Sequence, residues 1–340
     1  MRFLIYILII VVSATFFVYR QETTNQPEPI SPISTPLPLS DPLTISTEAT
    51  STPLSPVSPI SPILTKPKLQ PVLDQKAIDL IQQKINEVSS IPLSPISPVL
   101  TPPPPRLSQP VLYDKASSRV VNFFCEYANG VETASGVIIS PNGYILTNAH
   151  VAEAFVTDKN YECRIRQGSP AKNIGYAKIV MFPSVYVGAP KNWDGHANDV
   201  SIWKMTRSAG GEPIANDFPY YSIDTNFLPK KDQILATFSY PGELLGYEVL
   251  LKSFNMLFGE TIVSEFNADF IVSGMSLSSQ SGSSGGILVD IYTNKFAGLI
   301  FGVTTTANIN ERKLFSLSPY AVERVVKTET GLSLADFLNN

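Results

Sequence analysis

Few residues in this chain can carry acid–base or nucleophilic chemistry. It has two histidines, His150 and His196, and two cysteines, Cys125 and Cys163. A His/Cys zinc site needs clustered ligands at short spacing, so no metal and no other cofactor is expected. His150 closes the run Gly143-Tyr144-Ile145-Leu146-Thr147-Asn148-Ala149-His150, a strand pattern that delivers a histidine at its end. Asp199 opens Asp199-Val200-Ser201-Ile202-Trp203-Lys204, an acid at the head of an alternating strand. Ser284 lies in Gly282-Ser283-Ser284-Gly285-Gly286, and Ile287-Leu288-Val289 follows at once, so this loop leads straight into a buried strand. Singly, these read as a structural histidine, a solvated strand end and a flexible loop. In the order His, Asp, Ser they supply the groups of nucleophilic acyl transfer.

A serine hydroxyl is a poor nucleophile until a neighbouring imidazole takes its proton. The imidazole needs a carboxylate to fix its tautomer and to stabilise the imidazolium. Glycines beside the serine let the backbone turn tightly, so that two N–H groups can face a developing oxyanion. The natural donors are the N–H groups of Gly282 and Ser284. His196, in WDGHAND, reads as an exposed loop histidine, with substrate contact or tuning of the triad as the alternative. Asp194 and Asp217 are substitutes for Asp199, although neither opens an alternating strand.

Such groups need rigid elements to hold them. Strand-like runs recur at 119–127, 135–140, 144–148, 162–166, 174–182 and 200–205, then at 233–239, 248–254, 260–266, 270–274, 286–290 and 296–303. Many short strands with turn residues between them indicate an all-β barrel or sandwich. Two groups joined by the Gly/Pro-containing stretch 207–221 point to two six-stranded antiparallel β-barrels, at about 113–206 and 222–317. Ser318-Pro319 is an N-cap and first-position pair that opens a C-terminal helix over 318–327. The domain spans 113–340.

Two further regions precede it. Residues 3–19 carry no charge and are flanked by Arg2 and Arg20. A helix of this length sits at the short end of what crosses a bilayer, so residues 1–20 read as a retained anchor or as a signal peptide cut after Val12-Ser13-Ala14. Residues 21–112 hold 20 of the 29 prolines and no glycine or aromatic residue. Proline removes backbone donors and fixes φ, so this region reads as a disordered, extended stalk without sheet or long helix. Inside it, Ser58–Ala77 and Ser94–Ala116 resemble one another. A short amphipathic helix is expected over 74–88, where Ile78, Ile81, Ile85 and Val88 form one stripe. Docking on the folded domain or transient formation suits it better than oligomerisation. With a net charge of -4 and no long basic run, nucleic acid is not an expected partner.

Residues 119–327 resemble the chymotrypsin-fold (trypsin-like) serine proteases, nearest the HtrA/Deg branch. The carriers are SGVIISPNGYILTNAHV, DVSIWK, GSSGG and the turn Ser239-Tyr240-Pro241-Gly242. The resemblance implies His150 as general base, Asp199 as its orienting acid, Ser284 as nucleophile and Gly282 as an oxyanion donor. It also implies that the strands bearing Cys125 and Cys163 lie side by side, so a disulfide between them is expected in an exported setting. Three departures stand out. With 56 residues after Ser284, no PDZ domain is expected to follow. Ser283 stands where digestive relatives have an aspartate, so activation by a freed N-terminus is not expected. The serine-rich approach SGMSLSSQSGSSGG leaves Ser278, Ser279, Ile300, Phe301 and Gly302 as candidate pocket residues, suited to small or hydrophobic side chains. The expected function is a serine endopeptidase acting on protein or peptide substrates. It would be anchored in the membrane with its catalytic domain outside the cytoplasm, or secreted if the N-terminal segment is cut. The rival is a catalytically silent binding module of the same fold.

Overall fold

The computed structural model describes residues 75–88, 104–127, 130–158, 160–186, 193–242, 254–278, 280, 282–304 and 311–340. The expected N-terminal helix, most of the stalk and most of its internal duplication lie outside them. Among the described residues no helix is long and apolar enough to cross a membrane.

The first barrel is built from β1 (Val120–Tyr127), β2 (Gly130–Ile138), β3 (Tyr144–Thr147), β4 (Cys163–Gly168), β5 (Ala171–Met181) and β6 (Ser201–Ser208). The strands close in the order β1-β2-β3-β6-β5-β4, all antiparallel. Side chains two apart on a strand share a face. Accordingly Val121, Phe123 and Cys125 join Ile145, Ile165, Ala177, Trp203 and Met205 in one buried cluster. The Phe123 and Trp203 rings meet edge to face with centroids 5.1 Å apart. Gly136 makes room for them, since a Cβ there would lie 2.5 Å from Phe123 Cε2. Cys125 and Cys163 extend the β1–β4 register and are bridged.

The second barrel comprises β7 (Ile234–Ser239), β8 (Leu257–Phe266), β9 (Phe270–Ser273), β10 (Ile287–Asp290), β11 (Phe296–Val303) and β12 (Leu314–Leu317), closed in the order β10-β11-β12-β9-β8-β7. Each strand contributes to its interior: Leu235, Val263, Ile271, Leu288, Ile300 and Leu314. One expectation is corrected here. Of the run 248–254, only Phe254 is described, and it is not in a strand; the sixth strand of this barrel is β12. Its four residues, Leu-Phe-Ser-Leu, stand directly before the helix start Ser318-Pro319. They form a strand because β11 and β9 pair with both of their edges.

Helices tie the barrels together. In α5 (Pro319–Thr330), Ser318 Oγ accepts the Ala321 N–H at 3.1 Å, and Gly331 at φ +76° ends the helix. Ala321, Val322, Val325 and Val326 bury one face of it against the seam between the barrels. It runs to Thr330, three residues beyond the expected end, and a further helix, α6 (Leu334–Asn339), follows. On the N-terminal side, α1 (Gln75–Val88) buries Ala77, Ile81 and Ile85 in the same cluster as the seam, with Ile78 at its margin. Gln82 Nε2 donates to Glu265 Oε2 on β8. Ordered contact begins before the composition changes at Tyr113. The Leu107 N–H donates to Ile291 O at 2.9 Å, and α2 (Gln109–Ser117) buries Leu112 and Ala116 completely. Pro110 is no obstacle there, because it occupies the first turn, where its missing N–H has no helical partner to lose.

The cross-strand bridge closes a loop of 38 residues in sequence separation. Replacing both cysteines by alanine is expected to lower unfolding stability by about 2–4 kcal/mol, measured by urea denaturation. Alkylation of the unreduced, unfolded protein is expected to find no free thiol. A thiol titre near two per chain would contradict the bridge.

Candidate active site

Three loops, two from the first barrel and one from the second, bring the candidate residues together. β3 ends at Thr147, Asn148 is extended, and the single turn α3 (Ala149–Ala152) presents His150. Asp199 lies between α4 (Trp193–Ala197) and β6. Ser284 sits in the turn that enters β10. Asp199 Oδ2 lies 2.7 Å from His150 Nδ1, and Oδ1 accepts the His150 backbone N–H at 2.9 Å. A carboxylate facing Nδ1 places the ring hydrogen on that nitrogen, which leaves the lone pair of Nε2 for its other neighbour. That neighbour is Ser284 Oγ, at 2.6 Å. The site is nearly dry: the Asp199 side chain is 3% exposed, that of His150 11%, and Ser284 1%. Low local polarity strengthens each of these contacts.

The Ser284 loop depends on glycine at two points. Gly282 has φ +93° and Gly285 has φ +79°, the left-handed region that a side chain resists. Space demands the same: a Cβ on Gly285 would lie 2.0 Å from Ser135 O, and one on Gly282 would lie 2.3 Å from Gly242 N. Behind the loop, Ile300 O accepts the Gly285 N–H at 2.9 Å, and the Ile300 N–H donates to Gly286 O at 2.7 Å. Ser283 is buried, and the Ser239 hydroxyl donates to its Oγ at 3.1 Å. Two serines thus meet where a charged acid would need a cation.

The turn that carries Asp199 is held from outside its own barrel. Arg324 on α5 donates through Nη2 to Ala197 O at 2.7 Å, through Nη1 to Asn198 Oδ1 at 3.0 Å, and through Nε to Asp269 Oδ1 at 2.9 Å. The planar guanidinium suits such a three-way clamp. Helix α1 also packs against α4. Burial first, and then the charges of Asp199 and Glu153, push the Tyr186 phenol well above its ordinary range, so it stays protonated beside the acid.

Other expectations fare differently. His196 is buried in α4, its ring 6.1 Å from that of Phe301, and is not an exposed loop histidine. The short turn α4 folds it inward against the second barrel. Asp217 is exposed on the linker between the barrels, and the side chain of Asp194 lies outside the described residues. Ile300 faces the interior of the second barrel, and Phe301 is wedged among His196, Phe270 and Phe315, so neither side chain lines an open pocket. The sequence of β11 hides this, because both of its faces are buried and no in–out alternation appears. Gly302 lies on the same strand, Ser279 lies outside the described residues, and Ser278 is buried with its Oγ making no hydrogen bond among the described residues. The sequence reading gave no role to Ser135, Arg324 or Tyr186. None of the three carries a local signal; Ser135 follows Glu132, Thr133 and Ala134 in a strand of mixed composition.

Residues 134–299, a span that holds His150, Asp199 and Ser284, match the family model of the trypsin-like peptidase domain. No curated protein matches the chain in sequence. Among solved structures it is similar to the serine endoprotease from Yersinia pestis, with 20% identity over 65% of this chain and 66% of that one and a TM-score of 0.45. It is also similar to the HtrA-type protease AlgW with tripeptide, with 17% identity over 66% of this chain and 64% of that one and a TM-score of 0.46. The chain spans just under two thirds of the length of each of these structures. That family match lies across the two closed six-stranded barrels, so in both sequence and architecture residues 134–299 are similar to the trypsin-like peptidase domain.

Proposed function

We propose that the protein is a serine endopeptidase in which Ser284 is the nucleophile, His150 the general base and then acid, and Asp199 the group that orients and stabilises the imidazolium. The observation that carries this reading is the unbroken series of contacts from Asp199 Oδ2 through His150 Nδ1 and Nε2 to Ser284 Oγ, at 2.7 and 2.6 Å. Ser284 Oγ attacks the scissile carbonyl carbon as its proton passes to His150 Nε2. The N–H groups of Gly282 and Ser284 are the donors assigned to the resulting oxyanion. Collapse expels the amine, which takes the proton from His150, and leaves an ester on Ser284. Water then enters, gives its proton to His150 and releases the acid.

The sequence text around the triad is nearest the HtrA/Deg branch, and the uncharged segment 3–19 precedes a proline-rich stalk. Together they support an enzyme held at the outer face of a membrane and acting on exported or misfolded proteins. Extended, proline-rich chain keeps its length, so the stalk would hold the domain clear of the bilayer.

A fluorophosphonate probe is expected to label the wild-type protein and not Ser284→Ala. The same substitution is expected to lower peptide hydrolysis by about 10⁴- to 10⁶-fold without changing the melting temperature by more than a few degrees. Absence of labelling and hydrolysis in the folded wild type would leave the silent binding module as the surviving reading. For the tether, the full-length chain is expected in the membrane fraction, to resist extraction by salt and to yield to detergent. Its domain should be open to external protease in intact cells. Recovery of the uncut chain from the cytosol would remove the location.

A further inference from the structure

Ser135, on β2 of the first barrel, is fully buried and faces the nucleophile loop of the second. Its N–H donates to Ser284 O at 2.8 Å, and its own carbonyl accepts the Thr147 hydroxyl at 2.8 Å. The Ser135 hydroxyl lies between two partners, the Tyr240 N–H at 2.9 Å and Gly282 O at 3.0 Å. An amide N–H can only donate, so the single hydroxyl hydrogen must go to Gly282 O. The direction of that bond is therefore fixed. Asn148, also fully buried, works beside it. Its Oδ1 accepts the Gly285 N–H at 2.6 Å, sharing it with Ile300 O, while its Nδ2 donates to Asp199 O at 3.0 Å.

Two peptide groups of the loop are thus gripped from the opposite barrel. The Ser284–Gly285 peptide is held at its oxygen by the Ser135 N–H and at its nitrogen by Asn148. The Gly282–Ser283 peptide is held at its oxygen by the Ser135 hydroxyl. The loop needs this, because the glycines that permit its conformation also populate others at little cost. A Gly282 carbonyl turned outward would set a negative dipole beside a developing oxyanion, where positive ends are required.

On the reading of Ser284 as nucleophile, we infer that Ser135 and Asn148 are positioning residues through which the first barrel holds the oxyanion loop of the second in its working conformation. Asn148 additionally ties that loop to the backbone of the acid. Neither side chain touches the reacting atoms; both act through the loop.

The test compares wild type, Ser135→Ala and Asn148→Ala. It measures kcat and KM on a peptide substrate, the affinity of a peptidyl trifluoromethyl ketone that forms an oxyanion on the serine, the pH profile of kcat/KM, and the folded fraction. Ser135→Ala is expected to lower kcat about ten- to a hundredfold with KM within about threefold, because the loss concerns the transition state. Ketone affinity should fall by the same factor as kcat/KM, while the pH profile keeps its midpoints, since the contacts between His150 and Asp199 are untouched. Asn148→Ala, corrected for its folded fraction, should show the same parallel fall. A folded Ser135→Ala protein with kcat within threefold of wild type would overturn the inference. So would a loss confined to KM, or a loss of kcat with ketone affinity unchanged. Each of these leaves the peptidase reading standing, whereas a wild-type protein that neither hydrolyses peptides nor binds the ketone removes both.

Discussion

The carboxylate of Asp199 accepts two hydrogen bonds from one residue, the ring and the backbone N–H of His150, and the remaining architecture serves that arrangement. The ring contact sets which nitrogen carries the proton, and the backbone contact fixes where the residue sits. Both lose strength if water competes for the acid. A histidine on a single helical turn and an acid at a strand entrance are each mobile by nature. Their precision has to come from packing around them.

That packing is long-range at every point. Arg324 reaches the acid's turn from the far end of the chain, and α1 reaches it from the near end. Ser135 and Asn148 reach the Ser284 loop from the first barrel. The barrels are stiff because every strand pairs on both edges. The loops between them are soft because glycine and short turns are what allow three distant groups to converge. A small set of buried, directional bonds makes up the difference, since the misplacement of a catalytic group by about 1 Å can cost two orders of magnitude in rate.

The same division explains what the sequence discloses. His150, Asp199 and Ser284 each stand next to an apolar run that marks the strand positioning them, so the three loops and eleven of the twelve strands among the described residues are legible in local pattern. β12, the four residues before the helix start Ser318-Pro319, is set by pairing partners that lie elsewhere in the chain. The burial of the Ile300 and Phe301 side chains leaves no mark in the sequence, because β11 is apolar on both faces. The burial of His196 and the clamp by Arg324 have no local signature at all. Each is a contact with an element remote in sequence, and a contact of that kind leaves no periodicity.

Helix α1 lies outside both barrels in sequence and still bears on the site. A 14-residue helix with no acidic residue in its first turn and no basic one in its last is marginal when isolated in water. Its stability therefore comes from burying Ala77, Ile81 and Ile85 against the folded domain. The element it packs on, α4, leads within two residues to Asp199. Apolar surface recruited from outside the barrels thus lies over the turn that must not move, and the proline-rich text on both sides of the helix cannot compete by extending it. The apolar stripe in this proline-rich composition has a physical role in the arrangement: it packs against the short helix that leads to the acid.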